Sequence, residues 1–501
     1  MHNKNITVDK VKKDYKNLKK LSKKYYLKNE MNNAMDSVTI LAKLMYCFNI
    51  FYTDNDVENL LKEISTKIFK NDVENSKIEK NKNKVIFYDS FGQDNRVLTE
   101  QYLEALIQLE YDILYITLQK DEKIMKNILK KLKNYERAEV YKIKAKNKVE
   151  ICKEIRKKAF DYQATKIFIQ ITPWDTIGMV TWCYFENKAE RYNINLTDHA
   201  FWLGKCCSDY FIEFRSYGKN ISIDYRGIKE EKSAILPYYP IQSSEELFQG
   251  FSFETEGKKM IFSGGTLYKI YGSLVFFEIV KHILNNHEDV IFLFLGNGNE
   301  KPIQKFIIEN NYQNKFYHLN ERRDINEVFK RCYFYLGTYP ISGGLMSQFA
   351  IANGKLPIAY TTKKLPVNQI EELFIDSENI KLTYFDLQEM KNEIDKLLKY
   401  PDYLKKKTEN IEKLVISKKE FSEELKKLIE TKKTRFKFEK YGVDIKEFSA
   451  LYFEQENKFI NQYKRIFLTK NLKIGLKFYK NFIPSLIEYV FIKIKKKIRG
   501  K

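Results

Sequence analysis

An α/β protein built on parallel sheets is what this sequence predicts, and three observations predict it. Short apolar runs of strand length alternate, from residue 85 to residue 360, with segments whose apolar residues fall at helical spacing. Several of these runs stop at glycine turns: Gly264, Gly265 and Thr266; Gly296, Asn297 and Gly298; Ser342, Gly343 and Gly344. The runs are largely apolar, as in a sheet covered by helices on both faces.

The elements follow in order. Residues 1–80 read as helical: Val8 to Lys28 is heavily basic, and Val38 to Phe51 has a broad apolar face suited to a buried helix. Asp54, Asn55 and Asp56 precede a helix over Val57 to Phe69, where a cap is expected rather than a metal site. The polar run 70–84 is a linker. A first α/β domain is assigned to 81–240, with strands Val85–Tyr88, Asp112–Leu118 and Lys166–Ile171 and a helix over Val97–Leu109. Asp94 and Arg96 are read as caps of that helix, the alternative being a role towards an acceptor. Pro237 and Pro240 flank two tyrosines at the domain's end, and 241–257 is a hinge.

The second domain, 258–450, has strands Met260–Ser263, Asp289–Leu295, Phe316–Leu319, Tyr333–Leu336 and Leu356–Tyr360. Helices are expected over Leu274–Leu284, Ile325–Cys332, Leu345–Ala352, Asn368–Phe374, Asp386–Leu398 and Tyr403–Thr431, with Glu371 and Glu372 at a solvated helix start. Residues 451–501 form a basic tail whose end alternates apolar residues with lysine. It suits an amphipathic helix at an anionic membrane surface; a helix packed back on the body is the alternative.

Composition sets bounds. A chain of 501 residues with 44% hydrophobic side chains holds two full domains and an extra module. The net charge of +22 accompanies abundant Lys, Asn, Ile and Tyr, so part of it reflects a compositional bias. The six cysteines show no metal spacing and read as free thiols in a reducing compartment. The first thirty residues hold no apolar signal region and no run is long enough to span a bilayer, which points to a cytoplasmic protein, peripheral at the inner face of the membrane if the tail docks there. No recognition-helix, zinc or RNA-binding signature is present, and nucleic acid is not expected as a partner.

Ligands of parallel sheets bind beyond the carboxyl ends of the strands, where the glycine turns lie. At Ser342, Gly343 and Gly344 the backbone can approach a ligand, and the amides near Leu345 and Met346 favour an anion such as a diphosphate. A plain glycine loop is the alternative. Here residues 165–365 resemble a two-domain GT-B glycosyltransferase, and are most similar to the O-GlcNAc transferase and bacterial protein glucosyltransferase family. The carriers are Leu267, Tyr268, Lys269 and Ile270, the segment from Gly337 to Gly354, and upstream Trp202 to Gly204, Ser208 to Ile212 and Leu236 with Pro237.

The resemblance implies two Rossmann-like domains facing a cleft and a nucleotide-sugar donor, a UDP-sugar, with Lys269 on the diphosphate. The donor is a substrate, so no cofactor is implied, and no metal. His318 would neighbour the donor base. The sequence departs from the pattern at Phe349, where the family places a carboxylate on the donor ribose, with Gln348 as a substitute, and at Gly344, where it has a histidine. His199, beside Asp198, is the first candidate for general base and Asp94 the second; a hydrogen-bonded histidine at a domain edge is the other reading of His199. The acceptor is expected to be a protein or glycan. A retaining transferase of surface polysaccharide or glycolipid synthesis, and an inactive subunit stabilising a partner glycosyltransferase, are the alternatives.

Overall fold

The computed structural model describes residues 6–70, 81–94, 98–242 and 247–498, which leaves Arg96, Val97, most of the 70–84 linker and part of the 241–257 hinge outside the described residues. Two wholly parallel sheets carry the fold. The first holds β1 (Asn81–Asp89), β2 (Asp112–Thr117), β3 (Ala138–Tyr141), β4 (Ala164–Gln170), β5 (Glu190–Ile194), β6 (Tyr210–Glu213) and β7 (Ser233–Ile235), in the order β3-β2-β1-β4-β5-β6-β7. The second holds β8 (Lys259–Gly264), β9 (Val290–Leu295), β10 (Phe316–Leu319), β11 (Tyr335–Leu336), β12 (Pro357–Tyr360) and β13 (Thr383–Tyr384), in the order β10-β9-β8-β11-β12-β13. Each sheet starts at an inner strand, runs to one edge and then returns past its start. The order therefore reverses between β1 and β4 and between β8 and β11, where a crevice opens at the carboxyl ends of the strands.

Helices cover both faces, which is why β9 is buried along its whole length. Ahead of the first sheet come helices Val8–Leu27, Met31–Phe48 and Asn55–Ile68. Leu41, Leu44 and Met45 of the middle helix share a core with Ile86, Ile116 and Trp182 of the first domain, so that helix is apolar nearly all round. Asp54 accepts hydrogen bonds from the N–H groups of Asp56 and Val57 and pairs with Lys19 at 2.7 Å. The Asp54–Asp56 pair is a helix start.

Two expected helices take another form. Over 368–374 there are only the 3-10 turns Pro366–Asn368 and Glu371–Leu373, because Glu371 turns its carboxylate onto the N–H groups of Leu382 and Thr383 at 2.7 and 2.6 Å. The 403–431 stretch divides into helix Pro401–Thr408, a turn at Ile411–Leu414 and helix Lys418–Thr431. Asn410 has a left-handed backbone (φ 57°), and Ser417 and Glu420 start the new helix by capping one another's backbone N–H groups.

The Lys418–Thr431 helix crosses to the first domain. Phe421 meets Tyr102 and Tyr239 with ring centres 5.1 and 5.5 Å away, and the Ser422 hydroxyl donates to Gln108 at 2.8 Å. Residues before β8 hold to the second domain instead: Phe253 stacks on Tyr317 at 3.9 Å, and Arg331 lies 3.8 Å over Phe248. Among the described residues no helix is long and apolar enough to cross a membrane.

Phe421 is wholly buried between the domains. Phe421→Ala is expected to cost about 3–5 kcal/mol by leaving a cavity there, read as a lower midpoint of urea unfolding; an unchanged midpoint would show that the crossing helix contributes nothing to stability.

Candidate functional site

The second-domain crevice starts where β8 stops. The Gly265 N–H donates to the Leu295 carbonyl at 2.9 Å and the Leu267 N–H to that of Asn297 at 3.0 Å, so the loops after β8 and β9 are stitched together. A Cβ at Gly296 would lie 1.8 Å from the Gly265 carbonyl oxygen, and one at Gly298 3.0 Å from Leu267 Cβ. The sequence reading placed a ligand at these glycines; at Gly296 the neighbour that excludes a side chain is the backbone of Gly265. Asn297 exchanges hydrogen bonds of 3.2 Å with the Glu321 side chain and backbone. His318 bonds through Nε2 to the Gly296 carbonyl at 2.9 Å, which makes Nε2 the donor. Thr266 is exposed, and its carbonyl starts the Leu267–Ile270 turn by accepting from the Lys269 N–H.

That turn carries Lys269 over Gly265 towards the loop after β11. Its half-buried ammonium donates to the Ser342 carbonyl at 3.2 Å, and among the described residues no carboxylate pairs with it. Burial pushes its pKa down to about 8. The loop is fixed from beneath by Asn368, which accepts from the Ser342 N–H at 3.0 Å and donates to the Pro340 carbonyl at 2.9 Å, while Thr338 donates to the Ile341 carbonyl.

The Gly344–Ala352 helix starts beside Lys269: a Cβ at Gly343 would come within 3.7 Å of Nζ, and one at Gly344 within 3.0 Å of Leu373. The Met346 N–H donates to the Gly343 carbonyl, and its methyl group packs over Gly264. Its amide is therefore engaged, against expectation. The first-turn amides from Gly343 to Leu345 are those for which the helix has no acceptor. Lys269, these amides and the positive end of the helix form one electropositive corner at the β8–β11 switch point.

Across the interface, residues 195–204 follow β5 and are clamped by the buried Arg226. Its guanidinium donates to the Thr197 and Ala200 carbonyls at 2.7 Å and lies 4.9 Å over Trp202. Asn49 braces the same loop, donating to the His199 carbonyl and accepting from the Phe201 N–H. Asp198, 1% exposed, bonds to Arg215 Nε at 2.6 Å and to His199 Nδ1 at 3.2 Å. Burial opposes its charge, but Arg215 and His199 outweigh burial and hold Asp198 well below the usual carboxylate range. The His199 ring is one-third exposed (33%), and among the described residues its Nε2 has no hydrogen-bond partner. A histidine held by a carboxylate at Nδ1 and open at Nε2 is arranged to take a proton.

Asp94, the other candidate base, is engaged elsewhere. Its carboxylate accepts from the N–H groups of Asn127 and Ile128 at 2.8 and 3.1 Å, capping helix Lys126–Lys133 rather than the one after residue 97. Glu371 and Glu372 are not solvated either. Glu372 accepts from the Tyr217 N–H at 2.6 Å and the Tyr441 hydroxyl, joining the two domains.

No family model matches the sequence, and no curated protein matches it. Among solved structures, a mutant O-GlcNAc transferase of Thermobaculum terrenum is similar, with a TM-score of 0.51 and 11% identity over 89% of this chain and 82% of that one. This is the GT-B fold. Looser likenesses are Anabaena HepE in complex with UDP and glucose (TM-score 0.49, 12% identity, 70% of this chain and 99% of that one) and the UDP-GlcNAc 2-epimerase of Neisseria meningitidis bound to UDP-GlcNAc (0.47, 12%, 69% and 99%). With TM-scores under 0.5 these two carry no structural argument.

Within this GT-B frame Phe349 is a core residue. It is 7% exposed, stacked on Phe329 at 6.4 Å and packed with Phe262 and Tyr335. Gln348 does not replace the missing carboxylate in the way the sequence suggested: its Nε2 donates to the Tyr238 and Leu373 carbonyls, and its Oε1 is buried without a partner.

A further element, missed in the sequence, runs through the GT-B interface. Helix Lys446–Gln455 lays Tyr452 6.0 Å from the His199 ring, and Gln455 donates to the Tyr268 carbonyl at 3.1 Å and accepts from the Gly272 N–H at 3.0 Å. It thus links the His199 loop to the Lys269 turn. Nothing in the local pattern signals this, or the roles of Arg215, Arg226 and Asn368, because their partners lie on other elements, 17 or more positions away.

Gly296→Ala is expected to destabilise the protein by about 1–3 kcal/mol, since its Cβ would collide with backbone. Thermal unfolding checks this; an unchanged midpoint would mean that the two loops are not packed as described.

Proposed function

We propose that this protein is a glycosyltransferase that moves a sugar from a nucleoside-diphosphate sugar, a UDP-sugar in particular, to a hydroxyl of a protein or glycan without a divalent ion. The observation that carries the reading is Lys269: a half-buried cation with no carboxylate partner among the described residues, beside Gly343 and the start of a helix, at the switch point of a parallel sheet. The preference for UDP rests on the resemblance of the Leu267–Ile270 turn. The GT-B fold and the activity named for the Thermobaculum terrenum structure agree with it.

In the inverting form of the reaction, His199 Nε2 takes the proton of the acceptor hydroxyl as its oxygen bonds to the anomeric carbon and the bond to the diphosphate oxygen breaks. Asp198 orients the ring and stabilises the imidazolium that forms. Charge develops on the leaving diphosphate, where Lys269 and the amides from Gly343 to Leu345 neutralise it, so a metal ion is not needed for that step.

A second reading is favoured by one observation: Phe349 is buried core where related transferases place a ribose carboxylate, and Gln348 is engaged in joining the domains. On that reading the chain is an inactive subunit that stabilises a partner transferase.

Calorimetric titration with UDP, GDP and ADP distinguishes the two. Micromolar UDP binding that survives chelator and falls about ten- to hundredfold in Lys269→Ala is expected, the loss of one charge-assisted contact. No binding of any nucleotide favours the inactive subunit. Because the free ammonium of Lys269 titrates near 8, it is charged below that pH, and wild-type affinity is expected to decline as pH rises from 7 to 9. The Lys269→Ala variant should lose this dependence; an identical pH profile would remove Lys269 from the site.

Once an acceptor is found, His199→Ala is expected to lower kcat about 10²–10⁴-fold while leaving the UDP Kd unchanged. A kcat within a factor of a few of wild type would overturn its role as base.

A further inference from the structure

The last two helices, Leu472–Lys477 and Tyr479–Ile498, are held to the body on one side only. Ile474 and Phe482 are buried, Phe478 packs on Phe467 at 5.0 Å, and Asn471 bonds to Asn33 and Asp36 at 2.7 and 2.9 Å. The opposite side is bare. Leu472 and Leu476 are each 62% exposed, and from Leu486 to Ile494 every side chain is exposed, among them Ile487, Val490 and Phe491. An apolar surface of this extent on a helix marks a contact that the chain itself does not make.

Charge selects what covers it. From residue 464 to 501 the sequence has twelve Lys or Arg and a single acid, Glu488, so this stretch contributes +11 of the whole chain's +22. A second copy of the same face would bring two such segments together. A nucleic acid would satisfy the lysines and leave Ile487 and Phe491 in water. A surface that is apolar below and anionic above satisfies both demands.

We propose that the outer face of helices Leu472–Lys477 and Tyr479–Ile498 docks on an anionic lipid bilayer. Leu476, Ile487, Val490 and Phe491 enter the boundary of headgroups and acyl chains, and Lys477, Lys480 and Lys493 meet the lipid phosphates. The helices lie in the plane of the surface, since no described helix is long and apolar enough to cross it. The anchored residues Ile474, Phe478 and Phe482 fix the body to this platform. The docking depends on lipid and stands apart from the sugar chemistry.

The test is flotation of the full chain with vesicles of phosphatidylcholine, alone or mixed with phosphatidylglycerol. Binding to the mixed vesicles, little to the neutral ones, and loss at high salt are expected. Ile487→Glu with Phe491→Glu should abolish flotation, and Lys477→Gln, Lys480→Gln and Lys493→Gln together should weaken it about a hundredfold or more. All five side chains are exposed, so the melting temperature should hold in both variants, which separates lost docking from lost folding. Failure to float with mixed vesicles, or equal flotation of the variants, overturns the proposal. A dimer in light scattering that the Glu pair dissolves would also overturn it, by placing a second copy on this face.

Discussion

Arg215 joins the two domains and also sets the geometry of His199. Its Nε holds Asp198 at 2.6 Å, and its Nη1 reaches the Val367 carbonyl of the other domain at 2.8 Å. Asp198 and Arg215 are both buried, and removing either would leave an uncompensated charge, a loss of roughly 3–5 kcal/mol in comparable pairs. Since Asp198 also bonds His199, the orientation of that ring and the docking of the 365–373 loop depend on one ion pair. Glu372 extends the same junction through the Tyr217 N–H and Tyr441.

Lys269 is in the opposite condition. Burial disfavours its charge, and among the described residues it donates to the Ser342 carbonyl and to no carboxylate, whereas Arg215 has a carboxylate and stays fully charged. Helix Lys446–Gln455 touches His199 through Tyr452 and the Lys269 turn through Gln455.

Phe349 shows how a departure from a pattern is resolved by packing. Stacked on Phe329 and set against Phe262 and Tyr335, it exchanges a polar contact for core volume in the sheet-facing side of its helix. Gln348, next to it, is used to tie the helix to the first domain's end.

The parallel sheets, the placement of most strands and helices and the cap at Asp54 were legible in the sequence, because strand length, helical periodicity and glycine turns are local. Local pattern also misled: Asp94 caps a helix beginning at Lys126, and the 368–374 helix is replaced by turns around Glu371. What the tertiary structure alone decided is the pairing of distant residues: Asp198 with Arg215, Asn368 with Ser342, Gln455 with Gly272, and the uncovered face of the last two helices. The sequence by itself determined which segments must be buried and where the chain must turn, since hydrophobic burial and backbone sterics act over a few residues. Only the packed chain decided which charges find partners, since that depends on groups that local periodicity does not relate, 17 positions apart for Asp198 and Arg215 and 152 for Arg215 and Val367.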